Sequence, residues 1–149
     1  MTAEELWARY RRDNQLTDAV CEEAWAFGSE PDKLAELVVR GVKTATSSLY
    51  ALYEIEEEPL PEAGSYSVIL DSRGDAKCIV KTTKVYVVPF NQVGEAHAYK
   101  EGEGDRTLAY WRKVHEAFFA DCLKDAGLAF SVTMEVVCEE FEAVYAEPI

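Results

Sequence analysis

The feature that most constrains the fold is a pair of strand-forming segments separated by a short turn. Residues 66–71 and 76–90 are rich in Val, Ile, Thr and Tyr, and the residues between them are Ser-Arg-Gly-Asp. This pattern predicts a β-hairpin, because β-branched and aromatic residues favour extended backbone and a polar, glycine-containing turn reverses the chain. A hairpin with no βαβ rhythm around it argues against a doubly wound parallel sheet.

Four helices are predicted from capping residues and from apolar residues at helical spacing. Thr2 and Glu5 have the spacing of a capping box, and Asp105 is the expected N-cap of the last helix. The predicted helices cover residues 2–12, 17–27, 31–40 and 105–126.

The remaining segments complete an α+β architecture. The acidic run 54–58 is expected to be a surface connection, and residues 91–105 show no clear period. Residues 132–145 are predicted to end the chain as one or two strands. No repeat or linker divides the 149 residues, so a single domain is expected, with an N-terminal helical extension over about residues 1–30.

The charge of the chain limits its partners. It has 28 Asp and Glu against 15 Lys and Arg, which gives a net charge of −13. Such a protein repels a phosphate backbone at long range, so no binding to duplex DNA is expected and RNA would need a local basic patch. A small neutral or cationic substrate meets no such repulsion.

Three further observations indicate a cytoplasmic protein. No apolar run approaches the ~20 residues that cross a bilayer, so no membrane partner is expected. The first residues lack the apolar core of a secretion signal, and the four cysteines form no C-x-x-C pair. We therefore expect reduced, mostly buried thiols, no cofactor and no bound metal.

Residues 41–46, with the sequence Gly-Val-Lys-Thr-Ala-Thr, form the first candidate site. Lys43 is followed by hydroxyls at Thr44 and Thr46. A hydroxyl becomes an effective nucleophile when a base or a positive group stabilises its alkoxide, and lysine supplies either one. A capped helix end followed by a polar turn explains the same residues. The favourable position of a charged Lys43 near a helix C-terminus also opposes a base role.

The second candidate segment is residues 101–105, Glu-Gly-Glu-Gly-Asp, just before the last predicted helix. Carboxylates at a helix N-terminus are stabilised as anions. A calcium loop does not fit, because Arg106 falls where that loop requires glycine. A solvated acidic loop is the alternative. His97 is placed in a loop, and His115 on an apolar helix face is interpreted as a core histidine.

These segments resemble the ASCH (activating-signal-cointegrator homology) domain family, part of the PUA-like superfamily. The similarity extends in order over nearly the whole chain, although Gly28-Ser29 and Gly64-Ser65 stand where family members often have Gly-Asp. The matching motifs are AWAFG (24–28), LVVRGVKTAT (37–46), PEAG (61–64), PF (89–90), EGEGD (101–105), LAYWRKVHEAFF (108–119) and VCEEF (137–141).

The resemblance implies a PUA-like small β-barrel with flanking helices, whose cleft is lined by residues 41–46 and by the loop before the later helix. The family is thought to bind RNA or nucleobase-containing ligands. Some small bacterial members resemble amidohydrolases that cleave N4-acetylcytidine with a lysine, a threonine and a glutamate. By position these are Lys43, Thr46 and Glu101, with Glu103 the second candidate for the glutamate. Further expected ligand contacts are Gly41, Thr44, Tyr50 and Arg106.

One function is preferred and two remain as alternatives. The preferred one is hydrolysis of an N-acylated pyrimidine nucleoside, with Thr46 as nucleophile, either glutamate as general base and Lys43 as the cation that stabilises the oxyanion. A neutral Lys43 acting as the base is the competing assignment. The alternatives are a non-catalytic module that binds a nucleotide or single-stranded RNA, with bases stacked on tyrosines 50, 53 and 86, and a metal-dependent ribonuclease.

Overall fold

The computed structural model describes residues 1–16 and 21–146. Its helices and strands are, in chain order, α1 (Ala3–Asp13), β1 (Cys21–Ala26), α2 (Pro31–Val39), β2 (Ala45–Leu49), α3 (Tyr50–Glu56), β3 (Tyr66–Leu70), β4 (Ala76–Pro89), α4 (Glu95–Glu101), α5 (Leu108–Asp125) and β5 (Glu135–Ala146). A short 3₁₀ turn, Phe90–Gln92, follows β4.

The described strands form one mixed sheet in the order β1-β3-β4-β5-β2. β1 pairs with β3 in parallel, and all other neighbours are antiparallel. The register between β4 and β5 shifts at two places, and such bulges bend and twist long strands. The sheet is a half-barrel with helices around it. The predicted α+β fold, a small barrel with flanking helices, is confirmed.

Each of the main helices packs an apolar face against the sheet. Burial of such side chains is the dominant favourable contribution to folding. Leu6 and Tyr10 of α1 pack with Val68 and Ile79. In two further clusters, α2 contributes Leu34, Ala35 and Val38, and α5 contributes Trp111, Phe119 and Leu123.

The hairpin and the first helix agree with their predictions. β3 and β4 pair antiparallel, and in the turn between them Asp71 accepts hydrogen bonds from the backbone of Arg73 and Asp75. The hydroxyl of Thr2 accepts a hydrogen bond from the Glu5 backbone, 3.1 Å away, as an N-cap should. α2 and α5 also lie where helices were expected, and residues 135–146 form a single strand.

The predicted helix over residues 17–27 is wrong for its second part, because residues 21–26 form strand β1; residues 17–20 lie outside the described part of the chain. Trp25 and Phe27 alternate in sequence and pack together edge to face, at 4.9 Å between ring centroids. Pairing with β3 supplies the hydrogen-bond partners of the β1 backbone, and the apolar side chains recur at every second residue, as they do in a strand.

The segments around the candidate site also differ from their predictions. The hydroxyl-rich residues that follow Ala45 form a strand instead of a polar turn, because β5 supplies their hydrogen-bond partners. The acidic run begins inside α3, and α4 lies within the segment that showed no period, since seven residues are too few to display one. The N-cap of α5 is Thr107; Asp105 accepts hydrogen bonds from Thr107 instead.

Among the described residues, no helix is long and apolar enough to cross a membrane. The four cysteines are free thiols, two of them buried.

Candidate functional site

A cavity of about 930 Å³ lies between the sheet, α3 and α5. Four predicted catalytic residues, Lys43, Thr46, Glu101 and Glu103, are in its lining. The predicted ligand contacts Gly41, Thr44, Tyr50 and Arg106 are outside the described lining residues. The guanidinium of Arg106 instead lies 3.7 Å from the centre of the Tyr99 ring and hydrogen-bonds backbone carbonyls.

Lys43 is the centre of the first cluster of polar groups in this cavity. Its side chain is only 1% exposed. The Nζ atom lies 2.8 Å from Glu103 Oε2, 3.1 Å from Glu101 Oε1 and 3.4 Å from the backbone oxygen of Glu101. An ammonium has three N–H donors, and three acceptors surround it here. This geometry favours a charged lysine over a neutral base.

Two loops are packed backbone to backbone to create this arrangement. The Thr44 N–H donates to the Lys100 carbonyl at 2.7 Å, which fixes the chain beside Lys43 against the end of α4. Gly102 has φ +71°, and a Cβ there would collide with the Val42 carbonyl. Only glycine adopts this positive φ without strain and leaves room for the Val42 carbonyl. Glu101 and Glu103, on either side of it, therefore reach the same ammonium.

The carboxylate of Glu101 accepts hydrogen bonds from several elements. Its Oε2 atom lies 2.5 Å from both Ser47 Oγ and Trp111 Nε1. Burial raises the pKa of Glu101, but the Lys43 charge and hydrogen bonds from His115 and His97 outweigh burial, so this pKa lies well below its usual range. Glu101 is thus a fixed anion.

Both histidines belong to this cluster, contrary to the sequence interpretation. His97 lies on α4, not in a loop, with Nε2 2.7 Å from Ser47 Oγ and 3.2 Å from Glu101. Because the Ser47 hydroxyl donates to Glu101, His97 Nε2 must donate to Ser47. Within the described structure, His97 Nδ1 is buried without a hydrogen-bond partner.

His115 has a polar role as well as a packing role. Its ring stacks on Trp111, 4.4 Å between centroids, while Nε2 lies 3.4 Å from Glu101 Oε1. Burial lowers the pKa of His115, but its interaction with Glu101 reverses this and raises the pKa above its usual value. The i, i+4 spacings of His97 with Glu101 and of Trp111 with His115 were available in the sequence as a signal, once α4 was recognised.

Thr46 lies on the other face of β2 from Ser47, because side chains alternate along a strand. No hydrogen bond joins its hydroxyl to another side chain of residues 1–16 or 21–146. Thr44 Oγ1, by contrast, faces the Lys100 carbonyl at 3.3 Å and belongs to the loop packing.

Glu139 is a cavity residue that the sequence analysis did not identify as a site residue. It is the register partner of Thr46 across β2 and β5, and it is 9% exposed. Its Oε2 accepts a hydrogen bond from Thr82 Oγ1 at 2.7 Å. Burial is the main cause that raises the pKa of Glu139; the hydrogen bond from Thr82 opposes this and the charge of Glu23 adds to it. The site thus contains two carboxylates in opposite electrostatic environments, Glu101 and Glu139.

A metal ion has one possible set of ligands in the described residues, namely Glu101, Glu103 and His115, whose ligand atoms lie within 4.8 Å of one another. Two carboxylates and an imidazole suit a divalent cation. Both carboxylates already bind the Lys43 ammonium, so a metal ion would compete with a charge that is part of the protein.

The charge of the cavity is strongly negative. Nine of the residues that line it are Asp or Glu, against a single lysine and no arginine among the described residues. That lysine is neutralised by two carboxylates. The cavity therefore repels anions and attracts cations.

Comparison with known proteins gives a consistent result. A family model described as ASCH domain matches residues 23–145. The crystal structure of an ASCH domain from Lactobacillus crispatus JV V101 is 31% identical, with a TM-score of 0.88, and the match covers 95% of this chain and 93% of that one. A protein from Enterococcus faecalis V583 is 38% identical, with a TM-score of 0.87 and coverages of 96% and 88%.

A more distant ASCH structure, a mutant protein from Zymomonas mobilis, is 13% identical with a TM-score of 0.50 over 82% of this chain and 70% of that one. At this identity it shows only that the fold is shared. A search of curated proteins found no match.

Proposed function

The chain belongs to the ASCH domain family, and we propose that it is an amidohydrolase that removes the acyl group from an N-acylated pyrimidine nucleoside such as N4-acetylcytidine. The family has a PUA-like fold of an RNA-binding type. The observation that carries the proposal is the buried ammonium of Lys43, held by Glu101 and Glu103 in the wall of a cavity that Thr46 also lines.

Lys43 is assigned the role of oxyanion stabiliser. Attack on an amide carbonyl places negative charge on its oxygen, and a fixed cation in a partly dry cavity stabilises that charge. All three N–H bonds of Lys43 are in use, so one acceptor has to yield to the substrate. Glu103, with 17% of its side chain exposed, is the acceptor that yields.

The two glutamates are assigned different roles. Glu101 is held as an anion by donors from Lys43, Ser47, Trp111 and both histidines, so a further proton is taken up only at low pH. Within the described part of the chain, the Glu103 carboxylate accepts one hydrogen bond, from Lys43, and it lines the cavity. We therefore assign the general base to Glu103 and assign Glu101 to holding Lys43.

Thr46 is assigned as the nucleophile. Its Oγ forms a bond to the carbonyl carbon while its proton passes to Glu103, and the C–N bond then breaks with return of that proton to the leaving nitrogen. Water next attacks the acyl-threonine ester, which releases the carboxylic acid and restores Thr46. The hydroxyl has no competing side-chain hydrogen bond among the described residues, which supports this assignment.

The charge of the cavity supports a small substrate over an RNA strand. Nine carboxylates and one neutralised lysine line it, whereas RNA binding relies on positive charge along a phosphate backbone. A nucleoside carries no phosphate and avoids this repulsion.

The proposal is tested by incubating purified protein with N4-acetylcytidine, with and without EDTA, and separating cytidine by chromatography. We expect EDTA-resistant release of cytidine and acetate. Parallel incubation with a single-stranded RNA separates the alternatives: metal-dependent cleavage indicates a ribonuclease, and tight binding without turnover indicates a binding module. Either result, without deacylation, would contradict the proposal.

A further inference from the structure

We propose that Glu139, together with Thr82, forms a subsite that binds a positively charged nitrogen group of a small ligand. The inference deepens the proposed function, on which it rests for placing the reacting amide at Thr46. It adds a rule for ligand selection: of two ligands with the same shape, the one with a positively charged nitrogen on the side that faces β5 binds more tightly.

The Glu139 carboxylate has few hydrogen-bond donors within the described structure. Its side chain is nine-tenths buried and lines the cavity. Oε2 accepts from Thr82, and no second hydrogen bond from the described residues reaches this carboxylate. Its free oxygen is not sealed from solvent, but a largely buried carboxylate with one hydroxyl donor and no cationic partner in the described structure still carries a desolvation cost. A ligand cation that hydrogen-bonds Oε1 removes that cost.

Glu101 differs from Glu139 in its surroundings. The Glu101 carboxylate has a lysine, an indole N–H, a serine hydroxyl and two imidazoles around it, so its bonding is completed by the protein. Glu139 is 9% exposed against 1% for Glu101, and among the described residues it has only the Thr82 hydroxyl as a donor. Of the two glutamates that are buried among the described residues, Glu139 is therefore the one left for a donor from a ligand.

The electrostatic field of the cavity is negative around Glu139. The charge of Glu23 contributes to the raised pKa of Glu139. The described lining residues include nine carboxylates and one lysine. Since Lys43 is neutralised by its two carboxylates, its charge does not offset this field at Glu139. An anionic ligand is repelled, and a cationic one is drawn towards β5.

The position of the subsite fits a small substrate. Thr46 and Glu139 are register partners on adjacent antiparallel strands, and such partners have Cβ atoms roughly 4.5–5.5 Å apart on one face. The aromatic side chains of Trp25 and Tyr53 also line the cavity, where they offer surfaces to a flat ring. A planar cation at Glu139 thus lies within one small molecule's length of Thr46.

The test compares benzamidine, a planar cation, with benzamide, its neutral isostere, in equilibrium binding to the full chain by calorimetry. We expect the wild-type protein to bind benzamidine at least tenfold more tightly. In Glu139→Gln the ratio falls below threefold. The matched control is Glu142→Gln, which removes the same charge from an exposed position of β5 and keeps the wild-type ratio.

Glutamine preserves the shape of the side chain and can still accept the Thr82 hydrogen bond, so Glu139→Gln is expected to fold. Thr82→Val provides a second variant, which removes only that donor and is expected to shift the ratio less than Glu139→Gln. Equal binding of the two probes by the wild type, or a ratio unchanged in Glu139→Gln, overturns the subsite.

A nucleoside pair separates this proposal from the proposed function. 3-Methylcytidine is cationic at neutral pH, and 3-methyluridine has the same shape without the charge. A Glu139-dependent preference in both pairs supports both proposals. A preference for benzamidine with no nucleoside binding supports the subsite and overturns the nucleoside as substrate. Deacylation of N4-acetylcytidine with no cation preference in either pair overturns the subsite alone.

Discussion

The Nζ atom of Lys43 lies 3.1 Å from the carboxylate of Glu101, and the two side chains are 1% and 2% exposed. Isolated, either charge would be too costly to bury, and even a buried pair is often no more stable than a well-packed apolar replacement. The hydrogen bonding of this pair is completed by Glu103, which contacts Lys43, and by Trp111 and two histidines, which contact Glu101. Such an arrangement makes the pair sensitive to removal of one partner.

Removal of the Lys43 charge should destabilise the protein more than removal of the Glu101 charge. We expect Lys43→Met to lower the free energy of unfolding by about 3–5 kcal/mol, because Glu101 and Glu103 are left without their cation. Addition of Glu101→Gln should recover part of this loss. Urea unfolding of both single variants and the double variant measures the coupling; strictly additive effects would contradict it.

The two glutamates should separate catalysis from stability. Glu103→Gln is expected to lower kcat for N4-acetylcytidine by about 10²–10⁴, the usual contribution of a general base, with little change in unfolding. Glu101→Gln should lower the unfolding free energy more than Glu103→Gln does, since Glu101 faces five donor side chains and glutamine replaces one of its two acceptor oxygens with a further donor. Steady-state kinetics and urea unfolding of both variants give the comparison. A larger loss of kcat in Glu101→Gln, together with a larger loss of stability in Glu103→Gln, would exchange the roles of the two glutamates.

The sequence was sufficient to predict the fold class and to single out the two loops of the site, whose meeting in one cleft was implied only by the family resemblance. The hairpin and the helices α1, α2 and α5 follow local signals, namely a glycine turn, a threonine cap, an N-terminal proline and a helical period. The pairing of Lys43 with a glutamate was reached only through the family resemblance. Its physical cause, the approach of Gly102 to Val42, is a tertiary contact that no local pattern encodes.

The missed parts of the site depend on long-range pairing. Residues 46–48 are polar and have no apolar alternation, so only their pairing with β5 makes them a strand. Once they are a strand, Thr46 faces Glu139 and Ser47 faces the histidine cluster on the opposite side. Glu139 had no sequence signal of its own, because a glutamate in an acidic terminal segment is ordinarily solvated.

The threonines of the 41–46 loop should differ in their effect on turnover. Thr46→Ala is expected to reduce kcat by at least about a thousandfold while binding is retained, because only the covalent step is lost. Thr44→Ala is the matched control and should cost less than about tenfold, since Thr44 Oγ1 faces the Lys100 carbonyl and not the cavity. Single-turnover kinetics with binding measured separately provides the check. Near-normal turnover in Thr46→Ala would indicate direct attack by water.

Gly102 should be intolerant of even the smallest side chain. Gly102→Ala places a Cβ against the Val42 carbonyl in a backbone with φ +71°, so we expect a loss of roughly 2 kcal/mol or more and reduced activity from displaced glutamates. Gly94→Ala is the control, because Gly94 has φ −96° and open space around its Cα. Thermal unfolding of both variants distinguishes a specific contact from a general effect of alanine.

Glu139 should make the protein less stable as pH rises. Burial raises the pKa of Glu139 in the folded state above its ordinary value of 4.5, so the folded protein keeps this proton at pH values where the unfolded chain has lost it. The contribution is therefore most favourable below pH 4.5 and is lost as pH rises through the raised pKa. Two other ionisable groups lie near Glu139: Glu23, whose charge adds to the raised pKa of Glu139, and Tyr53, whose own pKa is raised by burial.

The variant Glu139→Gln removes the loss of stability that follows ionisation of this buried carboxyl. We expect it to raise the free energy of unfolding by roughly 0.5–2 kcal/mol at pH 7 and to change it little at pH 4, where the wild-type carboxyl is protonated. The exposed Glu142→Gln should change stability by less than about 0.5 kcal/mol at either pH. Urea unfolding at the two pH values tests this. A Glu139→Gln protein that is less stable than the wild type at pH 7 would mean that the carboxylate is already satisfied by the protein, and it would leave no unpaired acceptor for a ligand cation.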